Sequence, residues 1–179
     1  FVPEIGTTAL RLVEGAPAIA NSGISISTDR LENDYFAVSL DESGLISSIW
    51  DKTAGREVVA EGAKANVFQL FEDKTVACGP AWDIDIYAQD KLLEADGRLL
   101  SAEVVEEGPV RSVIRFRRAI SRSTLTQDVV LHAHSAQLDF RTRVEWGDEK
   151  DVMLKVAFPL AVRTHEARYE IQFGNVQRP

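Results

Sequence analysis

Between residues 138 and 146 the chain alternates without a break. Leu138, Phe140, Thr142, Val144 and Trp146 fall on one parity, and Asp139, Arg141, Arg143 and Glu145 on the other. Side chains of a strand point to opposite faces in turn, so this run predicts a half-buried antiparallel strand with one apolar face. A strand of this kind needs neighbours for its backbone and a second layer for its apolar face. The same pattern returns at 110–118, where Val110, Ile114 and Phe116 oppose Arg111, Arg115 and Arg117. A layered sheet protein is therefore the first expectation.

Other segments agree. Val152, Leu154, Val156 and Phe158 alternate with Met153, Lys155, Ala157 and Pro159, so both faces are largely apolar and the strand is expected to be covered on two sides. Tyr169, Ile171 and Phe173 alternate with Glu170 and Gln172. Further strands are expected at 8–13, 24–28, 35–40, 45–51, 67–71, 99–105 and 124–133. Asp41-Glu42-Ser43-Gly44 reads as a hairpin turn with Gly44 free to take positive φ. Turns are also expected at 51–55, 106–109 and 146–149, and residues 173–179 look turn-like. Only 57–64 and 87–93 suggest helical turns, and these are short. Many short strands at regular spacing predict an all-β antiparallel sandwich. Residues 14–23 look like a linker, so 1–22 are expected to end a preceding module and 23–179 to begin a sandwich domain.

Composition narrows the function classes. The chain has 28 acidic and 20 Lys and Arg residues, a formal net charge of −8, and so lacks the basic footprint of a nucleic-acid binder. That balance also disfavours an anionic membrane surface. No apolar run approaches the ~20 residues of a membrane-spanning helix. Cys78 stands alone, so neither a disulfide within the chain nor a cysteine metal cluster can form. The lone cysteine fits a reducing compartment, and a cytoplasmic location is the expectation, with any targeting segment outside these residues. The chain opens at Phe1 rather than Met. It reads as an excised piece of a longer polypeptide.

The segment with the most chemistry is 79–87. In an extended chain Asp83, Asp85 and Tyr87 would share one face, with Trp82, Ile84 and Ile86 on the other. Aromatic rings beside carboxylates suit a sugar: the ring stacks on C–H faces and the carboxylate accepts from hydroxyls. Trp82, Asp83, Asp85 and Tyr87 are thus candidate substrate-binding residues. The bland alternative packs Trp82 in the core and leaves the aspartates to cap turns. As a catalytic pair Asp83 and Asp85 are disfavoured, because side chains parallel on one strand do not flank a glycosidic bond from two sides. His132 and His134 form a His-x-His pair, but zinc needs a third and usually a fourth ligand. Asp128, along the same face, or the distant His165 and Glu166 would have to supply it, and no metal site is assigned. The rows Arg111, Arg115, Arg117 and Asp139, Arg141, Arg143, Glu145 form either a solvated face or a docking surface for another domain. No Gly-x-Ser-x-Gly, phosphate loop or dinucleotide fingerprint occurs.

Several stretches together resemble the C-terminal β-domain of glycoside hydrolase family 38 α-mannosidases. They are Leu31-Glu32-Asn33 with Gly44-Leu45-Ile46-Ser47-Ser48-Ile49-Trp50-Asp51-Lys52; Asn66-Val67-Phe68-Gln69-Leu70-Phe71-Glu72-Asp73; Ala81-Trp82-Asp83-Ile84-Asp85-Ile86-Tyr87; and Lys155-Val156-Ala157-Phe158-Pro159-Leu160 with Tyr169-Glu170-Ile171-Gln172-Phe173-Gly174 and Arg178-Pro179. Their order covers residues 31–179. The resemblance implies a galactose-mutarotase-like supersandwich that continues past Pro179. It also implies a parent that removes terminal α-mannosyl residues with retention, using zinc. In that family the catalytic carboxylates and zinc ligands lie in modules upstream. None of those motifs has a match here, so no catalytic residue, metal ligand or cofactor is assigned to this chain. The partners it implies are the upstream modules and the parent's mannoside substrate. Two other readings stay open: an independent carbohydrate-binding module, and an aldose mutarotase using His132 with a glutamate. Because an incomplete sandwich exposes edges, a homodimer through those edges is also expected.

Overall fold

The computed structural model describes residues 23–74 and 84–179, together with 7, 9, 11, 14, 15 and 79. The proposed strand at 8–13, the linker at 14–23, Cys78, Trp82 and Asp83 fall wholly or mainly outside them. Among the described residues there are strands and turns and no helix.

The first sheet is a meander in chain order: β1 (Ser25–Ser27), β2 (Arg30–Glu32), β3 (Phe36–Leu40), β4 (Ile46–Asp51) and β5 (Arg56–Glu57). The Asp41–Gly44 turn joins β3 to β4 as its sequence predicts, since Asp41 Oδ1 accepts from the Ser43 and Leu45 amides at 2.9 Å each. Next come β6 (Val67–Glu72) and β7 (Leu92–Ala95). Four long strands then follow, β8 (Arg98–Glu107), β9 (Arg111–Ile120), β10 (Ser123–His132) and β11 (Leu138–Glu145), paired in the order β11-β10-β9-β8. β12 (Val152–Ala157) returns to the far side of β6, giving the three-stranded order β12-β6-β7. β13 (Ala167–Ile171) and β14 (Gly174–Arg178) close as a hairpin. Every strand pairing is antiparallel.

The two larger sheets face each other as a sandwich. Leu31, Val38, Leu40 and Ile46 of the first sheet meet Ile114, Phe116, Val129 and Leu131 of the four-stranded one, with Val59 and Ala65 completing the cluster. A smaller cluster joins Phe68 and Leu70 of β6 to Ile120 and Leu125. Burying side chains of this size contributes ~1.5–3 kcal/mol each, which is what offsets ordering so many strands.

Buried polar residues stitch the layers together. Asn33 is fully buried between β2 and β3; its Nδ2 donates to the carbonyls of His132 (2.7 Å) and Ser135 (2.9 Å), and its Oδ1 accepts from the Tyr35 and Phe36 amides. One side chain thus turns the chain locally and pins the β10 end of the opposite sheet. Glu57 does the same for β4 and β5. Its Oε1 accepts from the amides of Ile49, Val58 and Val59, and its Oε2 from the Ser48 hydroxyl at 2.6 Å.

Some sequence expectations need correction. Residues 57–64 form no helical turn: β5, a bridge from Val59 to Leu160 and a tight turn at Ala60–Ala63 occupy them. At 87–93 a turn leads directly into β7. Residues 174–178, read as turn-like, form β14, because register with β13 supplies hydrogen bonds that a polar sequence does not advertise. β12 is half-buried rather than covered on both faces, with Val156 and Phe158 exposed. The apolar face of β11 is also buried over only half its length: Leu138 and Phe140 pack on the core while Val144 and Trp146 are exposed.

Candidate functional site

The segment singled out for sugar chemistry lies in the connection between β6 and β7, residues 73–91. Connections longer than ~12–15 residues are uncommon in compact domains and are often functional. Its base is held by Glu72. The Glu72 amide donates to the Lys91 carbonyl at 3.0 Å, and Glu72 Oε1 accepts from both Lys74 and Lys91 at 2.9 Å. These two ammonium groups hold the Glu72 carboxyl below its ordinary pKa.

Above that base the chain does not extend as its alternation suggests. The Ala88 amide donates to the Asp85 carbonyl and the Asp90 amide to the Tyr87 carbonyl, each at 3.0 Å, so 85–90 is a run of turns. Asp85 and Tyr87 therefore do not share a strand face, and the turn hydrogen bonds at Ala88 and Asp90 above the Glu72 to Lys91 base replace period-two geometry. Ala88 is buried and anchors the turn, whereas Ile84, Ile86 and Tyr87 are exposed, Ile86 at 85%. Ile84, Asp85, Ile86, Ala88 and Gln89 line a groove of about 510 Å³ against Met153, Leu154 and Lys155 of β12. An apolar wall with one carboxylate and one ammonium is chemically suited to a polyhydroxylated ligand or to an adjoining protein surface. Trp82 and Asp83 lie outside the described residues.

The outer face of the four-stranded sheet carries a ladder of alternating charge. Register puts Glu103 opposite Arg115, Arg115 opposite Asp128, and Asp128 opposite Arg141. Arg115 donates to Asp128 through Nε (2.7 Å) and Nη2 (2.9 Å), a bidentate pair that lowers the Asp128 pKa. Arg111 similarly holds Glu106 low. Arg141, Arg143, Thr126 and Glu145 share a shallow cleft of about 480 Å³ with the Arg115–Asp128 pair. Sequence reasoning found the arginine and carboxylate rows but not their register.

At the end of this sheet, His132, His134, Gln137 and Asp139 line a further cleft of about 450 Å³ with Pro109 and Val110. His132 ends β10, but His134 lies in the following turn, so the two do not share a strand face. His132 Nε2 stands 3.6 Å from Asp139, and His134 Nδ1 stands 3.9 Å from Asp34. The histidines thus turn to different carboxylates. Among the described residues no three His, Cys, Asp or Glu side chains gather as metal ligands, so this pair does not fit zinc. Asp128 instead pairs with Arg115. His132 and Asp139 both line this cleft, side by side.

Residues 31–179 match the profile described as Glycosyl hydrolases family 38 C-terminal domain. The chain belongs to that family. Similar proteins include human alpha-mannosidase 2C1, 39% identical over 150 residues, covering 83% of this chain and 14% of that protein. Alpha-mannosidase G of Dictyostelium discoideum is 32% identical over 173 residues, covering 92% of this chain and 16% of its own length. An alpha-mannosidase of Saccharomyces cerevisiae is 31% identical over 149 residues, covering 77% and 14%. The chain therefore spans about one seventh of the length of these relatives. For the family 38 C-terminal domain, the match begins at Leu31, the buried middle residue of β2, and includes Asn33, which ties β2 to the opposite sheet.

Proposed function

We propose that this chain is the non-catalytic β-sandwich of an α-mannosidase whose bond-breaking groups lie in other modules of the same polypeptide. In this reading the sandwich buttresses those modules and presents the 73–91 loop to them, so that Trp82, Asp83, Asp85 and Tyr87 rim the mannoside site. The observation that carries it is the exposure of Ile84, Ile86 and Tyr87 on a loop whose base is clamped by Glu72. Exposed apolar side chains on a loop held at its base suit a contact made with something beyond the sandwich. The family match and the α-mannosidase relatives support the assignment of the parent. In this reading any zinc is held by the proposed catalytic module, as the family resemblance implies.

The test uses the full-length polypeptide and a small terminal α-mannoside. Asp85→Asn and Tyr87→Ala are expected to raise KM severalfold while thermal stability is unchanged. Identical KM and kcat in both variants would remove the rim assignment. Hydrolysis of the mannoside by purified residues 1–179 alone would overturn the non-catalytic assignment.

A further inference from the structure

The β13–β14 hairpin makes its own two-stranded sheet, and among the described residues β13 has no neighbour on its other side. Two-stranded hairpins are marginal in water without a further strand or a packed face. This one exposes Tyr169 at 52% and Ile171 at 46%, and Val176 lies opposite Tyr169 in register. Ala167, Tyr169 and Ile171 share one face of β13, and Arg168 and Glu170 share the other.

Which backbone groups are open follows from the turn. Gln172 and Phe173 form a two-residue turn between the paired residues Ile171 and Gly174. The turn closes with a hydrogen bond across that pair, and backbone groups along an antiparallel strand alternate between its two sides. Ala167, Tyr169 and Ile171 therefore spend their N–H and C=O groups on β14. Arg168 and Glu170 present theirs at the open edge.

We propose that this edge is self-complementary and binds β13 of a second copy of the chain, antiparallel, about a two-fold axis at Tyr169. In that register Arg168 of each copy faces Glu170 of the other, and these are the residues whose backbone groups are free to pair. Tyr169 faces its counterpart, and Ala167 faces Ile171 of the second copy on the same apolar side. Sliding by two residues sets Arg168 against Arg168 or Glu170 against Glu170, which like charge disfavours. Sliding by one turns the free backbone groups away from each other and flips the apolar face. Charge, apolar pattern and backbone polarity thus select one register. The product is a four-stranded sheet in the order β14-β13-β13-β14 with an isologous interface.

Sedimentation equilibrium on the 179-residue chain tests this independently of the enzymatic reading. The chain is expected to be a dimer. R168E and E170R should each weaken association at least tenfold, because each creates two like-charge pairs across the axis. The double variant R168E/E170R restores opposite charges and should recover the dimer. Far-UV circular dichroism checks that the variants, which change only exposed residues, remain folded. A chain that stays monomeric at high concentration overturns the proposal. So do single variants that associate as tightly as the parent, which would place association on another surface, and a double variant that fails to recover.

Discussion

Asn66 and Gln127, 61 residues apart, exchange amide hydrogen bonds in the buried interior: Asn66 Nδ2 donates to Gln127 Oε1 at 2.6 Å, and Gln127 Nε2 donates back to Asn66 Oδ1 at 3.2 Å. Gln127 Nε2 also donates to Thr142 Oγ1 at 2.8 Å. Three strands or strand ends are thereby tied by one closed polar unit, with Asn66 held at φ +62° at the entry to β6. Removing Asn66 leaves Gln127 Oε1 buried without its donor, while Gln127 Nε2 keeps Thr142. Asn66→Ala is expected to cost about 2–4 kcal/mol, combining an orphaned amide with a left-handed backbone that alanine resists. Replacing both, as N66A/Q127M, should cost less than the sum of the singles. Urea unfolding of the three variants measures this.

Gly44→Ala should also destabilise strongly. Gly44 sits at φ +68°, and a Cβ built there would lie 2.8 Å from the Phe116 ring and 3.0 Å from Arg118 Nη2. Backbone strain and overpacking together predict a loss of about 2–4 kcal/mol. Ser43→Ala, one residue earlier and exposed, should stay within about 0.5 kcal/mol. Paired thermal melts distinguish the two.

Arg118 behaves in the opposite way. It is 2% exposed and lies 5.8 Å over the Phe116 ring; its Nη1 donates to the Asp96 carbonyl at 3.5 Å, and its Nη2 has no hydrogen-bond partner among the described residues. Burial pushes its pKa down, with Asp41 and Asp96 opposing that shift. A buried charge without full pairing contributes little net stability, and an apolar residue of similar volume is often neutral or better. Arg118→Met is expected to leave the urea midpoint unchanged or raise it. A fall of more than about 2 kcal/mol would show that the Asp96 carbonyl contact and the ring stack outweigh desolvation.

Glu57 sets an acid-sensitive term. Burial opposes its ionisation, but the Ser48 hydroxyl and the amides of Val59, Ile49 and Val58 outweigh it and hold the carboxyl below its ordinary range. A folded pKa below the unfolded one adds stability above the unfolded value, near ~4.3, and that stability is lost as pH falls through the folded pKa. Glu57→Gln cannot titrate there. Its unfolding free energy should be lower at pH 7 by about 1–3 kcal/mol, and the gap to the parent should close as pH drops below about 4. Denaturant titrations from pH 7 to pH 3 follow it.

Most strands could be read directly. Those at 111–120 and 138–145 announced themselves through alternation, because one apolar face was bound for the core, and those at 36–40, 46–51 and 67–72 were expected as further short strands between turns. The strands that escaped were polar or very short: β2, β5, β7 and β14 are fixed by their neighbours rather than by their own pattern. β12 and the end of β11 misled in the other direction, since apolar residues stay exposed where no described layer covers them. At the candidate site the residue types were legible in Asp85 and Tyr87, but not their arrangement, because turn hydrogen bonds at Ala88 and Asp90 override alternation. The His132 and His134 pair likewise separated once His134 fell in a turn.

Periodicity alone determined that this chain makes antiparallel sheets with one face buried, since which way a side chain points along a strand is a local property. The family, too, could be read from the order of its short stretches. Which strand lies beside which, and therefore that Arg115 grips Asp128, that Asn33 reaches His132 and that Asn66 finds Gln127, was decided only by tertiary structure. Those contacts join residues 13 to 99 positions apart, and their register is set by how two whole sheets pack, which no local window contains.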